Sequence, residues 1–292
     1  MLIDASENIY FRKKNTILYN GELIDLSVPL VMGILNVTPD SFYDGGRYNT
    51  LSGAINHAAT MLEEGAGIID VGACSTKPGA EGVTAEEELI RLMPVMKELR
   101  KQFPGVILSV DTFRAGVAER VVSEIGDCII NDISGGTIDN HIFETIARLR
   151  VPYILMHIQG TPQTMQSNPF YQNVTKEVIR QLSEGVFRLH EMGVSDVIID
   201  PGFGFGKTMD HNYELFNNLD MFRVFELPLL VGVSRKSMIY RFLGQTPEEC
   251  LNGTTVLNTM ALMGGASILR VHDVKQAVDA VKVFEKLKSF SQ

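Results

Sequence analysis

The chain has 292 residues, of which 45% are hydrophobic, and its formal net charge is −9 at pH 7. This length suits one large α/β barrel or two smaller domains, and an acidic chain is unlike general nucleic-acid binders, which carry a basic surface. It contains no run of about 20 apolar residues that could span a bilayer, and its first residues lack the pattern of a secretory signal. We therefore expect a cytoplasmic protein with neither a nucleic-acid nor a membrane partner.

The cysteines do not suggest a structural framework. Cys74, Cys128 and Cys250 are odd in number, far apart in the chain and without the spacing of zinc ligands. Disulfide pairing and a zinc site are both disfavoured by this arrangement. Cys128 stands in an apolar run and is expected to be a core residue.

The first part of the chain has the pattern of a β-hairpin. Two apolar segments flank Asn20-Gly21, a dipeptide that favours a two-residue turn. We expect residues 1–29 to form a hairpin extension that could plug one end of a barrel. Residues 30–292 would form that barrel, because composition does not shift anywhere after residue 30.

Beyond residue 30, short apolar runs alternate with helical segments. A buried parallel strand reads as such a run. The eight predicted strands are 30–36, 68–72, 106–111, 128–131, 152–157, 197–200, 228–234 and 266–270. Eight strands that alternate with helices predict an α/β fold of the (β/α)8 TIM barrel type. A doubly wound open sheet is the structural alternative.

Several helices carry terminal signals. Thr84 and Glu87 form a capping-box pattern, and Thr246 is followed by proline and glutamate in the order expected at a helix start. Asp273 is expected to cap the final helix. Pro94 stands inside a predicted helix and makes its continuity less certain.

The run 197–208 is the most informative stretch of the chain. Three apolar residues end at Asp200, and a glycine-rich bend then leads to Lys207. A phosphate-binding loop of the GxxxxGK type would need glycine at Pro201, and a dinucleotide fingerprint would need glycine at Lys207. The bend therefore matches neither motif, and Asp200 is predicted at the C-terminal end of a strand.

Polar residues follow the other strands in the same way. In a barrel of this type the active site lies at the C-terminal ends of the strands. The residues predicted there are Asn36, the loop Ser75-Thr76-Lys77, Asp111, Asn131, His157, Asp200, Ser234 with Lys236, and Arg270 with His272. Fixed carboxylate and amide groups suit a flat heterocycle that presents N–H donors. For His157, a structural hydrogen bond and a ligand contact both stay open.

Positive charge is also expected at this end of the barrel. The candidate cations are Lys77, Lys207, Arg235, Lys236, Arg270 and His272. Their position in an otherwise acidic chain indicates an anionic substrate with phosphate-like groups. The glycine-rich stretches 44–46 and 77–80 are predicted to form loops over the site.

A series of motifs resembles those of the dihydropteroate synthase family in one order along the chain. They are 32–42 (MGILNVTPDSF), 74–81 (CSTKPGAE), 109–112 (SVDT), 130–133 (INDI), 156–160 (MHIQG), 200–207 (DPGFGFGK), 234–237 (SRKS) and 270–273 (RVHD). The resemblance implies a barrel enzyme of folate synthesis, usually a homodimer. It would join (7,8-dihydropterin-6-yl)methyl diphosphate to 4-aminobenzoate, which gives dihydropteroate and diphosphate.

The resemblance also implies roles for individual residues. It assigns the pterin diphosphate to Thr76, Asp111, Asn131, Met156, Asp200, Lys236, Arg270 and His272. It assigns 4-aminobenzoate to Phe42, Thr76, Pro78, Phe205, Ser234 and Lys236. Asn36 would bind Mg²⁺, the implied cofactor, and Asp111, Lys236, Arg270 and His272 would be catalytic.

The chemistry of the substrates agrees with these roles. An aromatic amine is neutral at pH 7 and needs little help from a base, so the harder step is the expulsion of diphosphate. Mg²⁺, Arg270 and His272 would neutralise the leaving group, and Asp111 would favour the ring as positive charge develops. We expect a dissociative substitution.

Two positions depart from the family pattern. Cys74 stands where glutamate is frequent, and Lys77 where arginine is usual, which costs the planar fork of the guanidinium. Two other functions stay open: a pterin-dependent corrinoid methyltransferase on the same barrel, and a catalytically inactive pterin-binding relative.

Overall fold

The structure, a computed structural model, describes residues 13–38, 47–74 and 83–290, and only the backbone of 47–50. Its strands are β1 (Thr16–Tyr19), β2 (Glu22–Asp25), β3 (Leu30–Asn36), β4 (Ile68–Gly72), β5 (Ile107–Asp111), β6 (Ile129–Asp132), β7 (Tyr153–Met156), β8 (Val197–Asp200), β9 (Leu230–Val231) and β10 (Ile268–Val271). Its helices are α1 (Arg47–Glu63), α2 (Ala85–Gln102), α3 (Ala115–Ile125), α4 (Ile142–Leu149), α5 (Val174–Glu191), α6 (Met209–Asn217), α7 (Ser237–Leu243), α8 (Leu251–Met263) and α9 (Val274–Lys288).

Strands β3 to β10 close into a parallel barrel. Each strand from β3 to β7 pairs with the next one along the chain, and β10 pairs with both β9 and β3. A parallel bridge between Ile199 and Leu229 joins the β8 side to the β9 side. The prediction of a (β/α)8 barrel is therefore confirmed. The doubly wound sheet is wrong, because the last strand returns to the first.

The strands are short and apolar because both of their faces are covered. All residues of β4, β6, β7 and β8 are buried. The outward side chains pack under the surrounding helices in one large core. The inward side chains fill the barrel. Burial on both faces explains why the apolar runs located the strands so closely.

The hairpin β1–β2 closes the N-terminal end of the barrel. Ile17, Tyr19 and Leu26 are buried against residues near the N-terminal ends of the barrel strands. The barrel residues in this apolar cluster are Met32, Ile68, Ile129, Ile154, Ile198, Leu230 and Ile268. The predicted turn at Asn20-Gly21 is confirmed by the pairing of Tyr19 with Glu22. We call this cluster the plug.

Helix starts follow the predictions in part. Thr84 and Glu87 make both bonds of a capping box, and α2 continues through Pro94. The helix predicted from Thr246 instead begins at Leu251, although Thr246 N–H does donate to Glu249 Oε2 at 3.0 Å within the preceding turn. None of the helices in the described parts of the chain is both long and apolar enough to cross a membrane.

Asp273 stands at the N-cap position of α9 as predicted, but its side chain does not cap the helix. Its carboxylate makes no capping bond to α9. Instead it accepts two bonds from Arg235, one from Nε at 3.0 Å and one from Nη2 at 2.5 Å. A bidentate charged pair is stronger than the neutral-donor bond that a cap would supply.

Candidate active site

Polar side chains from several strands lie at the C-terminal end of the barrel, which we call the mouth. Asp111 and Asn131 occupy the same register in β5 and β6. Asp200 is the last residue of β8, and Gly202 N–H donates to its Oδ1 at 2.7 Å. The prediction that these residues stand at strand ends is confirmed. Their convergence follows from the parallel arrangement of the strands.

Arg270 links two carboxylates in the mouth. Its Nε donates to Asp70 Oδ2 at 2.7 Å, and its Nη2 donates to Asp111 Oδ2 at 2.9 Å. Burial alone would lower the pKa of Arg270, but Asp70 and Asp111 outweigh burial and raise it. The guanidinium is therefore a fixed cation between two acidic groups, which a planar fork of donors is suited to hold.

Asp70 was not among the residues predicted for the site. It is fully buried in β4, and its Oδ1 accepts a bond from Ser109 Oγ at 2.6 Å. Its Oδ2 accepts from Asn131 Nδ2 at 3.1 Å as well as from Arg270. The signal in the sequence is a single acid inside an otherwise apolar strand. Such a charge is tolerated in a core only when it is paired and hydrogen-bonded.

Burial changes the titration of the two mouth aspartates. It raises the pKa of Asp111 to about 7, an effect that Arg270 opposes and Asp70 strengthens. It also raises the pKa of Asp200, and here the charge of Lys236 opposes it. Asp111 consequently changes its charge close to neutral pH, where a perturbed carboxyl group is of most use to an enzyme.

Lys236 lies between the glycine-rich bend and an aromatic ring. Its Nζ donates to the carbonyl of Phe203 and lies 4.8 Å from the centre of the Phe205 ring. Burial lowers the pKa of Lys236 to about 8, while Asp200 acts in the opposite direction. The ammonium group is thus held against an aromatic face by a cation–π contact.

An apolar wall lines the mouth beside these polar groups. It is a cluster of the buried residues Ile133, Met156, Ile158 and Met165, against which Phe113 and Phe205 pack. Met156 stands in register with Asp200. Apolar and aromatic side chains beside a few placed polar groups are the usual composition of a small-molecule site. This combination suits a flat, hydrogen-bonding ring.

The bend after β8 fits closely against the neighbouring loop. Gly202 has φ +70°, and a Cβ there would lie 1.9 Å from the carbonyl oxygen of His157, so only glycine fits. Lys207 Nζ donates to the carbonyls of Gly202 at 2.8 Å and Phe205 at 3.1 Å, and lies 2.9 Å from His157 Nδ1. The prediction that Lys207 is a rim cation is wrong, because it is buried and holds its own bend together.

His157 therefore has a structural role. It is buried, and burial, with the charge of Lys207 second, lowers its pKa well below the ordinary value. Its contact with Lys207 is a structural bond of the kind that was one of the two expectations for this residue.

Ser234 and His272 form a second polar pair at the mouth. The Ser234 hydroxyl lies 3.1 Å from His272 Nδ1 and accepts a bond from His272 N–H at 3.2 Å. Burial, followed by the charge of Arg270, lowers the pKa of His272 to about 4. The prediction that His272 adds positive charge is therefore wrong at neutral pH. Arg235 is also neutralised, by its pair with Asp273.

Asn36 is the predicted metal ligand and ends β3 as an exposed residue. Its Oδ1 lies 3.6 Å from the point that a Cβ on Gly72 would occupy, so it faces the β4 side of the mouth. Over residues 13–38, 47–74 and 83–290, no three His, Cys, Asp or Glu side chains converge on a metal site. One amide oxygen suits Mg²⁺, which is commonly bound through few protein ligands, waters and substrate phosphates.

Cys74 lies beside a buried ion pair at the edge of the mouth. Arg114 Nη1 donates to Cys74 Sγ at 3.7 Å and forms a salt bridge with the buried Glu88. Burial, with Glu88 second, raises the pKa of the Cys74 thiol to about 11. The thiol is therefore protonated at neutral pH and is not an activated nucleophile.

Three predicted site residues, Phe42, Thr76 and Pro78, lie outside the described residues, as do Ser75 and the predicted loops 44–46 and 77–80. The other predicted positions are described. Asp111, Asn131, Asp200, Lys236 and Arg270 are linked by hydrogen bonds or charge interactions. The charge of Arg270 also acts on His272, and His272 in turn contacts Ser234.

Comparison with known proteins gives the same family as the motifs. A family model described as pterin binding enzyme matches residues 32–272. The dihydropteroate synthase of Escherichia coli (strain K12) is 48% identical over 267 residues, which cover 91% of this chain and 94% of that protein. The chain belongs to the dihydropteroate synthase family. The structural resemblance to other members is equally extensive.

Two solved structures of the family show the same architecture. The Yersinia pestis dihydropteroate synthase, solved with a sulfonamide drug complex, has a TM-score of 0.87 at 43% identity, covering 94% of this chain and 99% of that one. The Xanthomonas albilineans enzyme with 4-aminobenzoic acid also has a TM-score of 0.87, at 39% identity, covering 94% and 98%. The family's barrel therefore extends over nearly all of the chain.

Proposed function

We propose that the chain is a dihydropteroate synthase, a transferase of folate synthesis. It joins (7,8-dihydropterin-6-yl)methyl diphosphate to 4-aminobenzoate and releases diphosphate. The observation that carries this proposal is the linked set Asp111, Asn131, Asp200, Lys236 and Arg270 in the mouth of a family barrel. A relative that was solved with 4-aminobenzoic acid supports the second substrate.

The pterin ring binds in the deep part of the mouth. Asp111 and Asp200 accept its N–H donors, and the amide of Asn131 completes the polar edge. Met156 belongs to the apolar wall and packs against the face of the ring. Lys236 donates to the ring from the side of Phe205. Carboxylates that accept paired N–H bonds account for the selection of a pterin over a purely apolar ring.

The aminobenzoate binds nearer the surface. Phe205 offers an aromatic face, and Lys236 and Ser234 offer donors for the carboxylate of this substrate. The family pattern adds Phe42, Thr76 and Pro78 to this subsite. Cys74 and Lys77 depart from the family pattern in the same stretch of sequence, and lysine lacks the planar fork of the usual arginine.

The diphosphate binds on the Arg270 side of the mouth. Arg270 supplies a charged fork, and His272, neutral at pH 7, can donate one N–H. Thr76 is a further position for this group. Asn36 would hold Mg²⁺ together with the diphosphate, and the bound ion would supply charge neutralisation to the leaving group.

The reaction is a dissociative substitution. The bond from the methylene carbon to the diphosphate oxygen breaks first, and Arg270 stabilises the charge that develops on that oxygen. The carbon shares its positive charge with the pterin ring, which Asp111 favours electrostatically. The amine nitrogen of aminobenzoate then attacks the carbon and loses a proton. Closure of the mouth would keep water away from the cation.

One assay separates this function from its alternatives. Diphosphate release should require both the pterin diphosphate and added 4-aminobenzoate. An inactive relative would bind pterin without release, and a corrinoid methyltransferase would instead transfer a methyl group to a cobalt cofactor. Diphosphate release that is independent of aminobenzoate would contradict the proposal.

A substitution tests the electrostatic role of Asp111. Asp111→Asn keeps the shape of the side chain and removes its charge, so turnover should fall about 10²-fold while pterin still binds. Turnover near the wild-type level with pterin bound would show that the carboxylate has no such role.

We also propose that the protein is a cytoplasmic homodimer. Val256, Met260 and Met263 lie along one face of α8 and are about half exposed, and Phe242 of α7 is 65% exposed. Exposed apolar patches of this kind mark interaction surfaces. Met260→Lys should give a monomer in light scattering, whereas Val283→Lys, at an exposed position of α9, should leave the dimer intact. A wild-type monomer at micromolar concentration would overturn the proposal.

We also propose that the chain consists of a short N-terminal extension and one barrel domain. Residues 1–29 are an extension of the barrel and not a separate domain, since the described part of this segment packs into the barrel's core. Residues 30–292 form the pterin-binding unit.

A further inference from the structure

The bond between Arg270 and Asp111 engages groups that the proposed function gives to the substrate. Arg270 Nη2 donates to Asp111 Oδ2 at 2.9 Å. Yet Arg270 is to bind the diphosphate, and Asp111 is to accept N–H bonds from the pterin ring. Both side chains are partly accessible, with 20% and 14% of their surface exposed. A diphosphate oxygen at Nη2 and a ring N–H at Oδ2 would therefore compete with this bond.

The Nε side of the Arg270 guanidinium binds a carboxylate that is fully buried. Arg270 Nε donates to Asp70 Oδ2 at 2.7 Å, and Asp70 has no exposed surface. Ser109 and Asn131 hold the same carboxylate through both of its oxygens. A buried charge with three partners is costly to separate from its counter-charge, since the loss of one partner leaves the other uncompensated. This end of Arg270 is consequently fixed.

We propose that Asp70 is a positioning residue that holds Arg270 Nε in place while Nη2 passes from Asp111 to a diphosphate oxygen of the substrate. The exchange breaks one charged hydrogen bond and forms another, so the guanidinium keeps two anionic partners throughout. It also frees Asp111 Oδ2 for the ring. This inference rests on the proposed function, because it uses the pterin diphosphate as the substrate.

The proposal makes anion binding and ring binding cooperative. An anion that engages Nη2 removes the competitor of the pterin ring at Asp111. Coupling between two ligands is reciprocal, so the ring also favours the anion. The two halves of the substrate, offered as separate molecules, should therefore bind more tightly together than either binds alone.

Calorimetry with the two halves tests this coupling. The probes are 6-hydroxymethyl-7,8-dihydropterin, which lacks the diphosphate, and inorganic pyrophosphate, both at constant Mg²⁺. Saturating pyrophosphate should lower the Kd of the pterin alcohol in the wild-type protein about 5-fold or more, which is the lower end of common coupling factors. A change of less than 2-fold in the wild-type protein overturns the proposal without any variant.

Asp70→Asn tests the anchor itself. The amide oxygen can still accept from Arg270 and Asn131, and its NH₂ group can donate to Ser109 Oγ, so shape is kept and only charge is lost. Arg270 then has Asp111 as its remaining carboxylate partner and should not leave it. We expect the coupling to fall to within 2-fold of unity.

Asp132→Asn is the matched control. Asp132 is also fully buried, but it accepts from Ser134 N–H, Gly136 N–H and the Tyr153 hydroxyl and makes no described bond to Arg270. This variant should keep the coupling. An equal loss of coupling in both variants, or no loss of coupling in Asp70→Asn, contradicts the proposal. If the wild-type protein makes dihydropteroate but shows no coupling between pyrophosphate and the pterin alcohol, the role of Asp70 alone is refuted. If the wild-type protein binds no pterin, the proposed function is refuted.

Discussion

The two ends of the barrel are built from opposite kinds of side chain. The N-terminal end is filled by the plug, in which three hairpin residues meet seven apolar barrel residues. The mouth instead holds Asp70, Asp111 and Asp200 around Arg270 and Lys236. Apolar burial stabilises a fold directly, whereas buried charges at best recover their desolvation cost. The comparison indicates that the plug serves stability and the mouth serves chemistry.

The largest effect expected at the mouth comes from Arg270→Lys. Lysine keeps the charge, but a compact ammonium group lacks the planar fork that spans Asp70 and Asp111. We expect kcat/KM for the pterin diphosphate to fall about 10²- to 10³-fold, as for the loss of one charge-stabilising contact. Arg148→Lys, at an exposed arginine of α4, is the control and should be close to wild type. A loss of kcat/KM of less than 5-fold in Arg270→Lys would contradict the assignment of the chemistry to the mouth.

The counterpart at the other end is Ile17→Ala. Ile17 has no exposed surface in the plug, so its truncation should lower the free energy of unfolding by about 2–5 kcal/mol. Chemical denaturation measures this change, and kcat at 25 °C should stay near the wild-type value. Leu23→Ala, on an exposed part of the same hairpin, should change stability by less than about 0.5 kcal/mol. A large loss of kcat in Ile17→Ala would show that the two ends are not separate.

The sequence predicted the barrel well, for a physical reason. Strands β3 and β4 have the predicted bounds, because apolar runs ended by polar or glycine residues are what a buried parallel strand requires. The seventh predicted strand, 228–234, is reduced to Leu230–Val231. Arg235 has φ +55° just after it. The pattern of apolar residues does not predict this left-handed backbone conformation.

The site was predicted less completely because charge depends on burial. Asp111 and Asp200 follow apolar runs and were visible as strand ends. Asp70 stands inside such a run, where its contact with Arg270, 200 positions later, cannot be read from spacing. Lys207 and His272 were predicted to be cationic at the mouth, but the first is buried in its own bend and the second is neutral.

The pH dependence of activity tests the mouth in the intact protein. Asp111, with a pKa of about 7, must be ionised to accept the ring's N–H donors. Lys236, with a pKa of about 8, must stay protonated to donate. We expect a bell-shaped profile of kcat/KM, with a fall of about 50-fold from pH 7, where Asp111 is half ionised, to pH 5.

The sign of this effect separates it from acid unfolding. The folded pKa of Asp111 lies above its ordinary value of 3.8, so its protonation between these values favours the folded state. Activity should therefore fall with acid while the contribution of Asp111 to stability rises. Asp111→Asn should lose the acid limb near pH 7, although a low rate remains. An unchanged acid limb in that variant would assign the titration to Asp200, whose pKa is also raised, or to a substrate group.

The smallest effect concerns the polar contact of the plug. The Tyr19 hydroxyl accepts from Arg100 Nη2 at 2.8 Å and from Leu108 N–H at 3.0 Å. The same hydroxyl donates to the carbonyl of Val106 at 3.4 Å, so Tyr19→Phe keeps the ring and removes three bonds. Arg100 Nη2 retains the carbonyl of Asp127 at 2.9 Å, and the Val106 carbonyl retains Arg100 Nη1 at 3.1 Å. Of these three partners, only the buried Leu108 N–H then loses its described bond. We expect a loss of about 1–2 kcal/mol in the free energy of unfolding, with an unchanged pH profile. A shift in that profile would mean that the plug communicates with the mouth, and the division between the two ends would then fail.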